Sequence, residues 1–511
     1  MDRDANTDSV KKYFYVTTPI YYVNDVPHIG HAYTSVAVDV IARFKRMDGC
    51  CVKFLTGTDE HGQKIARAAG KAGMPPKDFC DCVSGNFRDL TKALHLSNDD
   101  FIRTTEPRHM ASAQALWRQL EASGNLYQGT YAGWYSTRDE AFVGNDEVKD
   151  GLAPSGAPVE WVEEAGYFFR LSDWQDKLLA FYDAHPEFIA PQSRRNEVVS
   201  FVKSGLRDLS ISRCSISWGI SVPGDPKHVM YVWIDALANY LSALGYPETS
   251  EEFLEFWAQS LHVVGKDIIR FHAVYWPAFL MAAGLAPPKK VFAHGWWTND
   301  GQKISKSLGN VIDPHDLMNK YGLDQVRYFL MRNMPFGEDG NFSDGLITGR
   351  INSDLANDLG NTVQRVLTMV GKLSRDKIAY AQDDLAQEDR TLLKMGYGCL
   401  NDIRPMFDEL SFEKVLKRIW NLIYDINKYI DHQAPWLLDK TDIERLKVVL
   451  AVLAEAVFLT ALYIRPFMPG TADKIFDMLN VDNDLRFFKS VGVKRNFNGP
   501  FPKPIALFPR M

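Results

Sequence analysis

Two histidines three residues apart, His28 and His31, stand in the run DVPHIGHAYT, just after the strand-like FYVTTPIYYV. Where a strand gives way to a helix, the first helical turn leaves backbone N–H groups open and carries a partial positive charge, so it favours anions, phosphate above all. Gly30 allows close backbone approach, and two imidazoles on one face of that turn can donate hydrogen bonds to a phosphate. Taken alone, the pair reads equally well as two surface or supporting histidines. A second candidate lies far along the chain. In GQKISKSLGN, Lys303 and Lys306 alternate with Ser305 and Ser307, giving ammonium and hydroxyl donors able to wrap a polyphosphate. By itself such a run is more often a solvated lysine loop. Together the two runs imply one site that clamps a triphosphate from two sides.

The elements that must position these groups show as alternation. A strand at 13–20, the NDVPHIGH turn, a helix through SVAVDVIARFKRM, the strand CVKFLTG and the helix GQKIARAAGKAG follow with short loops. That order predicts a parallel sheet wound in right-handed crossovers. Ligands on such sheets sit beyond the carboxyl ends of strands, and both NDVPHIGH and GTDEHG fall there. Residues 118–225 differ: YAGWYSTRDEAFVG and LAPSGAPVEWVEEAGYFFRLS are rich in aromatics, Gly and Pro and read as an inserted β-rich module. Alternation returns from HVMYVWIDALANY to KKVFAHGWWT, so the first domain is expected in two halves, 13–117 and 226–298. The turn signal NDGQ opens a linker at 299–349 that holds the lysine loop. From 350 to 485, runs such as FEKVLKRIWNLIYDINKYIDH space apolar residues by threes and fours. An α-helical bundle is expected there, with a flexible 1–12 before the first domain and a Pro-rich tail at 486–511.

Composition bounds the class. A chain of 511 residues exceeds one core. With 46% hydrophobic and 24% charged residues it is an ordinary folded protein, which excludes disorder, collagen and coiled coil. A net charge of −6 means that any nucleic acid is met by local basic patches, since the summed field does not attract phosphate. The N-terminal MDRDANTDSVKK has no apolar core, against a signal peptide or an Arg-rich transit peptide. The longest apolar run, Val448–Ile464, is interrupted by Glu455 and falls short of the about 20 residues a membrane span needs. A buried bundle helix is expected, and no membrane. Cys50, Cys51, Cys80, Cys82, Cys214 and Cys399 form no C-x-x-C pair and fit neither a disulfide framework nor a four-thiolate zinc site. A reduced, cytoplasmic compartment follows.

The two signature runs resemble H-I-G-H and K-M-S-K-S of the class I aminoacyl-tRNA synthetases, with Ile304 in place of the usual Met and both lysines kept. More specifically, TTPIYYVNDVPHIGHAYTS, TGTDEHGQKI, YVWIDALANYL, VVGKDIIRFHAVYWPAFL and AHGWWTNDGQKISKSLGNVIDP resemble the methionyl-tRNA synthetase family, from about residue 13 to the end of the helical region. The resemblance implies an α/β fold: a Rossmann-like parallel-sheet catalytic domain, split by a connective module and followed by a helical anticodon-binding bundle. It also implies a methionine–tRNA ligase. The carboxylate of L-methionine attacks the α-phosphorus of ATP and expels pyrophosphate; the terminal ribose hydroxyl of tRNA(Met) then takes the methionyl group. Such catalysis is mostly positioning and charge neutralisation. His28, His31, Lys303 and Lys306 would stabilise the pentacoordinate and leaving-group charge, with Mg2+ sharing the load.

The same resemblance assigns binding roles. Gly30, Gly265, Asp267, His294, Gly295, Ser305 and Ser307 would bind ATP, with Gly265 and Asp267 at the ribose and His294 and Gly295 near the adenine. Asp59, aided by the backbone at Ile20, would take the ammonium group of methionine, although an Asp there could equally cap a helix. Tyr22, Trp233, Ala236, Tyr240, Ile268, Phe271 and His272 would form an aromatic pocket for the soft, polarizable thioether; without the family each reads as an ordinary core residue. In NDLGNTVQR and DHQAPWLL, Asn361, Arg365, Pro435 and Trp436 would read the anticodon. Base stacking of that kind contributes roughly 1–3 kcal/mol per base. Many relatives carry zinc-binding cysteines where this chain has WYSTRDEAF and LAPSGAPVEW; Ser136 and the segment 154–158 offer no thiolate, so no structural zinc is expected. The chain also lacks the appended dimerisation or tRNA-binding domain of longer relatives, so a monomer is expected.

Two other readings stand beside this one. A leucine-, valine-, isoleucine- or cysteine-specific class I relative would share the signatures, but the branched-chain enzymes carry an editing domain larger than this insertion, and a cysteine enzyme is expected to hold its substrate with zinc thiolates. A catalytically silent RNA-binding module could keep the fold. Methionine-dependent ATP–pyrophosphate exchange discriminates all three.

Overall fold

The strand Cys51–Asp59 is buried without a break from Phe54 to Asp59, the mark of a parallel sheet covered by helices on both faces. The computed structural model describes residues 11–24, 26–138, 141–304, 310–373, 378–493 and 495–511. They form two compact units, one of residues 13–38 and 52–294, the other of residues 39–51 and 295–511 with the N-terminal stretch.

The first unit holds the sheet. Its strands run in the order Tyr21–Tyr22, Cys51–Asp59, Tyr13–Thr17, Ser260–Gly265, Lys290–His294, Ile189–Ala190, and Asp100–Arg103 also pairs with Cys51–Asp59. Tyr15 pairs with Ser260, Gly265 with His294 and Tyr22 with Asp59, all in parallel. The strand order reverses between Tyr13–Thr17 and Ser260–Gly265, which opens a crevice beyond their carboxyl ends, the usual ligand position on such a sheet. The strand expected over 13–20 is divided: it stops at Thr17, and Tyr21–Tyr22 starts again beside Cys51–Asp59. Pro19 between them has no N–H to give to a ladder.

The 118–225 stretch contains a four-stranded antiparallel sheet, ordered Ala141–Val143, Leu126–Ser136, Glu160–Phe169, Leu209–Ser210. A three-stranded one, Ser212–Arg213, Asp225–Met230 and Ser221–Val222, follows. HVMY thus ends a small antiparallel sheet, while Ile189–Ala190 from inside the stretch adds an edge strand to the parallel sheet. Tyr15, Trp117, Tyr182, Tyr240 and Trp276 sit in the core that fills this unit.

The second unit is mostly helical. Its bundle is built from Asn361–Leu373, Gln387–Asp408, Phe412–Gln433, Pro435–Thr441, Ile443–Ile464 and Pro469–Met478. The Ile443–Ile464 helix is long and apolar enough to cross a membrane, but every residue from Val449 to Ile464 is buried inside the unit. Residues 39–51 belong here because their side chains do: Phe44 stacks on Phe407 at 3.6 Å and Asp48 accepts from Arg404 at 2.7 Å. Arg327 and Asp39, both fully buried, pair at 2.7 Å, and Arg327 also donates to the carbonyls of Phe467 and Pro466.

Candidate functional site

The helix Ile29–Met47 begins six residues earlier than SVAVDVIARFKRM suggests, so His31 lies in its first turn and His28 directly precedes it. The two rings are locked by their Nδ1 atoms. Gly30 N–H donates to His28 Nδ1 at 3.1 Å, and His28 N–H donates to His31 Nδ1 at 3.0 Å. Each Nδ1 is therefore an acceptor, and in the neutral ring the proton must sit on Nε2. The ring centroids are 3.9 Å apart, so two Nε2–H donors are presented together. Gly30 makes this possible, since a Cβ there would come within 2.9 Å of His28 Cε1. Tyr21 and Phe87 meet the His31 ring edge-on at 4.8 and 5.2 Å and fix its plane. Burial lowers the pKa of His28 against the opposing pull of Asp267, and burial together with His28 holds His31 well below the ordinary value. Both act as neutral donors at neutral pH.

The residues of the first unit expected to bind nucleotide lie at neighbouring strand ends. Gly265 and His294 close adjacent parallel strands in register. A Cβ at Gly265 would lie 2.5 Å from Asp267 Oδ1, so only glycine lets that carboxylate fold back over the strand end. His294 Nε2 lies 2.8 Å from Thr34 Oγ1, whose hydroxyl donates to the Gly30 carbonyl at 3.1 Å. Thr34 thus ties His294 to the histidine turn, a residue the motif reading did not single out. In the second unit, a side chain at Gly295 would collide with the Glu338 backbone. Lys303 pairs with Thr298 through its backbone, and Ser305, Lys306 and Ser307 lie outside the described residues.

The residues expected to form the amino-acid pocket fall into two groups. Tyr22 and Asp59 are register partners, Asp59 is buried, Ile20 is half-buried just before them, and the Tyr22 hydroxyl donates to the His61 carbonyl at 3.2 Å. Trp233 stacks flat on Phe271 at 3.7 Å, and its helix, Val232–Ser242, carries buried Ala236 and Tyr240 one and two turns on. His272 Nδ1–H donates to the Ile268 carbonyl at 2.9 Å, so its Nε2 accepts from the Tyr240 hydroxyl at 2.8 Å. Burial lowers His272 to about 4, so it remains an uncharged wall. Phe271 and His272 open the π-helical turn Phe271–Tyr275, a wide turn often found at binding sites.

One network here went unread in the sequence. Asp235, fully buried, accepts from His61 Nδ1 and His109 Nε2, both at 2.7 Å. Burial would raise its pKa, yet the two imidazoles prevail and hold it down to about 2. The available signal was a lone carboxylate inside the otherwise apolar YVWIDALANYL.

In the helical unit, Asn361 is exposed at the start of Asn361–Leu373, and Arg365 reaches Asn427 at 3.4 Å and Asp431 at 3.1 Å on Phe412–Gln433. That helix stops at Ala434, a left-handed residue with φ 41. Pro435 is buried and opens Pro435–Thr441, and Trp436 stands 51% exposed. Arg365 thus reaches the last turns of the helix after which Trp436 follows. Among the described residues no group of three or more His, Cys, Asp or Glu side chains is arranged to hold a metal ion.

Against known proteins, the family described as tRNA synthetases class I (M) matches residues 14–156 and 152–367, and the anticodon binding domain of methionyl tRNA ligase matches residues 382–494. The methionine–tRNA ligase of Rickettsia felis is 53% identical over 98% of this chain and 99% of its own length. That of Brucella suis biovar 1 is 50% identical over 97% and 98%. The structure of Mycobacterium tuberculosis methionyl-tRNA synthetase in complex with methionyl-adenylate matches with a TM-score of 0.95 at 50% identity, over 98% of this chain and 100% of that one. Its apo form matches with a TM-score of 0.88 at 47% identity, over 98% of each chain.

Proposed function

The chain belongs to the methionyl-tRNA synthetases of class I, the methionine–tRNA ligases, and from that premise we propose which of its residues carry each part of the reaction. Asp59 receives the ammonium group of methionine beside the Ile20 backbone, and Tyr22, Trp233, Ala236, Tyr240, Ile268, Phe271 and His272 surround the thioether. The flat Trp233 and Phe271 pair and the neutral His272 support this, because a soft sulfur gains from polarizable, uncharged walls. Asp267, folded over Gly265, accepts from ribose hydroxyls, and His294 and Gly295 flank the base. His28 and His31 donate Nε2–H bonds to the triphosphate as its α-phosphorus is attacked. Gly30, Ser305 and Ser307 help to bind the ATP, and Lys303 and Lys306 neutralise the departing pyrophosphate. In the second step the terminal hydroxyl of tRNA(Met) attacks the methionyl carbonyl and AMP leaves. Asn361 and Arg365 hydrogen-bond anticodon bases, and Trp436, aimed by Pro435, stacks on one.

The paired Nδ1 locks of His28 and His31 carry this reading, because they fix two donors side by side before substrate arrives. His31→Ala should lower methionine-dependent ATP–pyrophosphate exchange about 10²–10³-fold, the usual loss on removing one such donor, with KM for methionine within about twofold. Unchanged exchange would refute it.

Mg2+ belongs with the nucleotide, since it is bound chiefly through substrate phosphates and its own waters. The insertion needs no zinc. Val143, Ala153 and Ala157 form a small core under Trp134, and Trp134 meets Trp161 edge-on at 5.3 Å, a packing that can replace a metal knuckle. The protein acts as a cytoplasmic monomer, where its six free cysteines stay reduced. Elemental analysis and sedimentation of the purified chain test both points, and bound zinc or a dimer would reject them.

A further inference from the structure

We propose that Asp235 is a positioning residue for methionine activation, setting through His61 the distance between the two walls of the amino-acid pocket. This rests on the pocket assignment given above. Asp235 lies on Val232–Ser242 between Trp233 and Ala236, two of the pocket positions. Its Oδ2 accepts from His61 Nδ1 at 2.7 Å, and the carbonyl of the same His61 accepts from the Tyr22 hydroxyl at 3.2 Å. Tyr22 in turn is the register partner of Asp59. Two hydrogen bonds, joined through His61 itself, and a strand pairing therefore link the helix that bears the aromatic wall to the strand ends that bear the ammonium-binding carboxylate.

Both ends of that link are held. The second carboxylate oxygen accepts from His109 Nε2 at 2.7 Å, and His109 Nδ1 lies 3.2 Å from Ser242 Oγ, so the carboxylate is fixed in orientation as well as place. On the far side, Trp218 meets the His61 ring at 5.3 Å and donates from Nε1 to the Glu60 carbonyl at 2.6 Å. Glu60, fully buried, accepts from Arg103 Nε and Nη2 at 2.6 and 2.9 Å. The segment Asp59–His61 thus has little freedom apart from what Asp235 permits. Asp235 and His61 are 0% and 4% exposed, too enclosed for an ordinary surface ion pair. A buried carboxylate between two imidazoles is costly to keep unless it fixes something, and what it spans here is the pocket.

Asparagine at 235 keeps the shape but offers one acceptor oxygen where two imidazole N–H groups donate, and it removes the charge that holds both rings, so the grip on His61 is weakened. In ATP–pyrophosphate exchange, Asp235→Asn and His61→Ala should each raise KM for methionine tenfold or more and leave KM for ATP within twofold. His61→Asn, which still presents an N–H, should stay within threefold of the parent. The double variant should be no worse than either single one. If a folded Asp235→Asn, judged by circular dichroism, keeps the parent KM for methionine, or if both KM values rise together, the proposal is overturned. Should Asp235→Asn not fold, His61→Ala decides alone by the same criteria. Trp233→Ala separates the two levels: a raised KM for methionine there with none in Asp235→Asn rejects only the positioning role, and no rise there rejects the pocket itself.

Discussion

His272 keeps a neutral ring down to about pH 4, because burial penalises its charged form more than the Ile268 carbonyl and Asp267 favour it. Its folded pKa lies below the unfolded value near 6.5, so its contribution to stability is complete above that value and is lost as pH falls towards 4. Between pH 7 and pH 5 the loss is about 2 kcal/mol. The thermal midpoint of the parent should therefore fall more steeply over that interval than that of His272→Phe, as read by calorimetry; parallel curves would contradict the assignment. At this scale the sequence marked candidate side chains for the chemistry but not their protonation. That His28 and His31 lie three apart is visible in HIGH. That Gly30 N–H and His28 N–H occupy both Nδ1 atoms depends on the helix starting at Ile29, a detail of a turn.

Helix ends decide how the second unit presents Trp436. Arg445 grips Asp389 with two nitrogens at 2.5 and 2.7 Å and donates to Gln433, the last residue of Phe412–Gln433, at 2.7 Å. Tyr429 donates to the same carboxylate. Burial raises the Asp389 pKa, but the Arg445 and Tyr429 bonds outweigh it and the group stays charged. Arg445→Met frees Gln433 and loosens the turn at Ala434. KM for tRNA(Met) in aminoacylation should rise about tenfold, a loss of about 1.4 kcal/mol, while pyrophosphate exchange stays unchanged; a loss in exchange would place the effect elsewhere. Pro435 announces this helix end in the sequence, and the half-buried Arg445 clamp does not, since no spacing marks a contact over a dozen residues. Likewise Ile189–Ala190 is too short to show a strand period and is recognised only by its pairing with Val291 and Phe292.

At the scale of the whole molecule, the domain order along the chain was readable from alternation, insertion and helical period, but the grouping of residues 39–51 with 295–511 was not. The helix Ile29–Met47 has one continuous pattern, and only its partners reveal that Asp39, Phe44 and Asp48 serve the helical unit. Arg327→Met takes one of two guanidinium partners from the buried Asp39, which keeps Arg43 Nε at 2.7 Å, and should destabilise that unit by about 1.5–3 kcal/mol, seen as an earlier melting transition; an unshifted transition would mean the pair is dispensable. The interleaving also bears on dissection of the gene. A fragment opening at residue 295 would lack the 39–51 stretch and with it the Asp39 carboxylate that Arg327 needs. No single scission of the polypeptide yields both halves intact, so a split version of this protein must be cut at more than one point or re-joined by circular permutation.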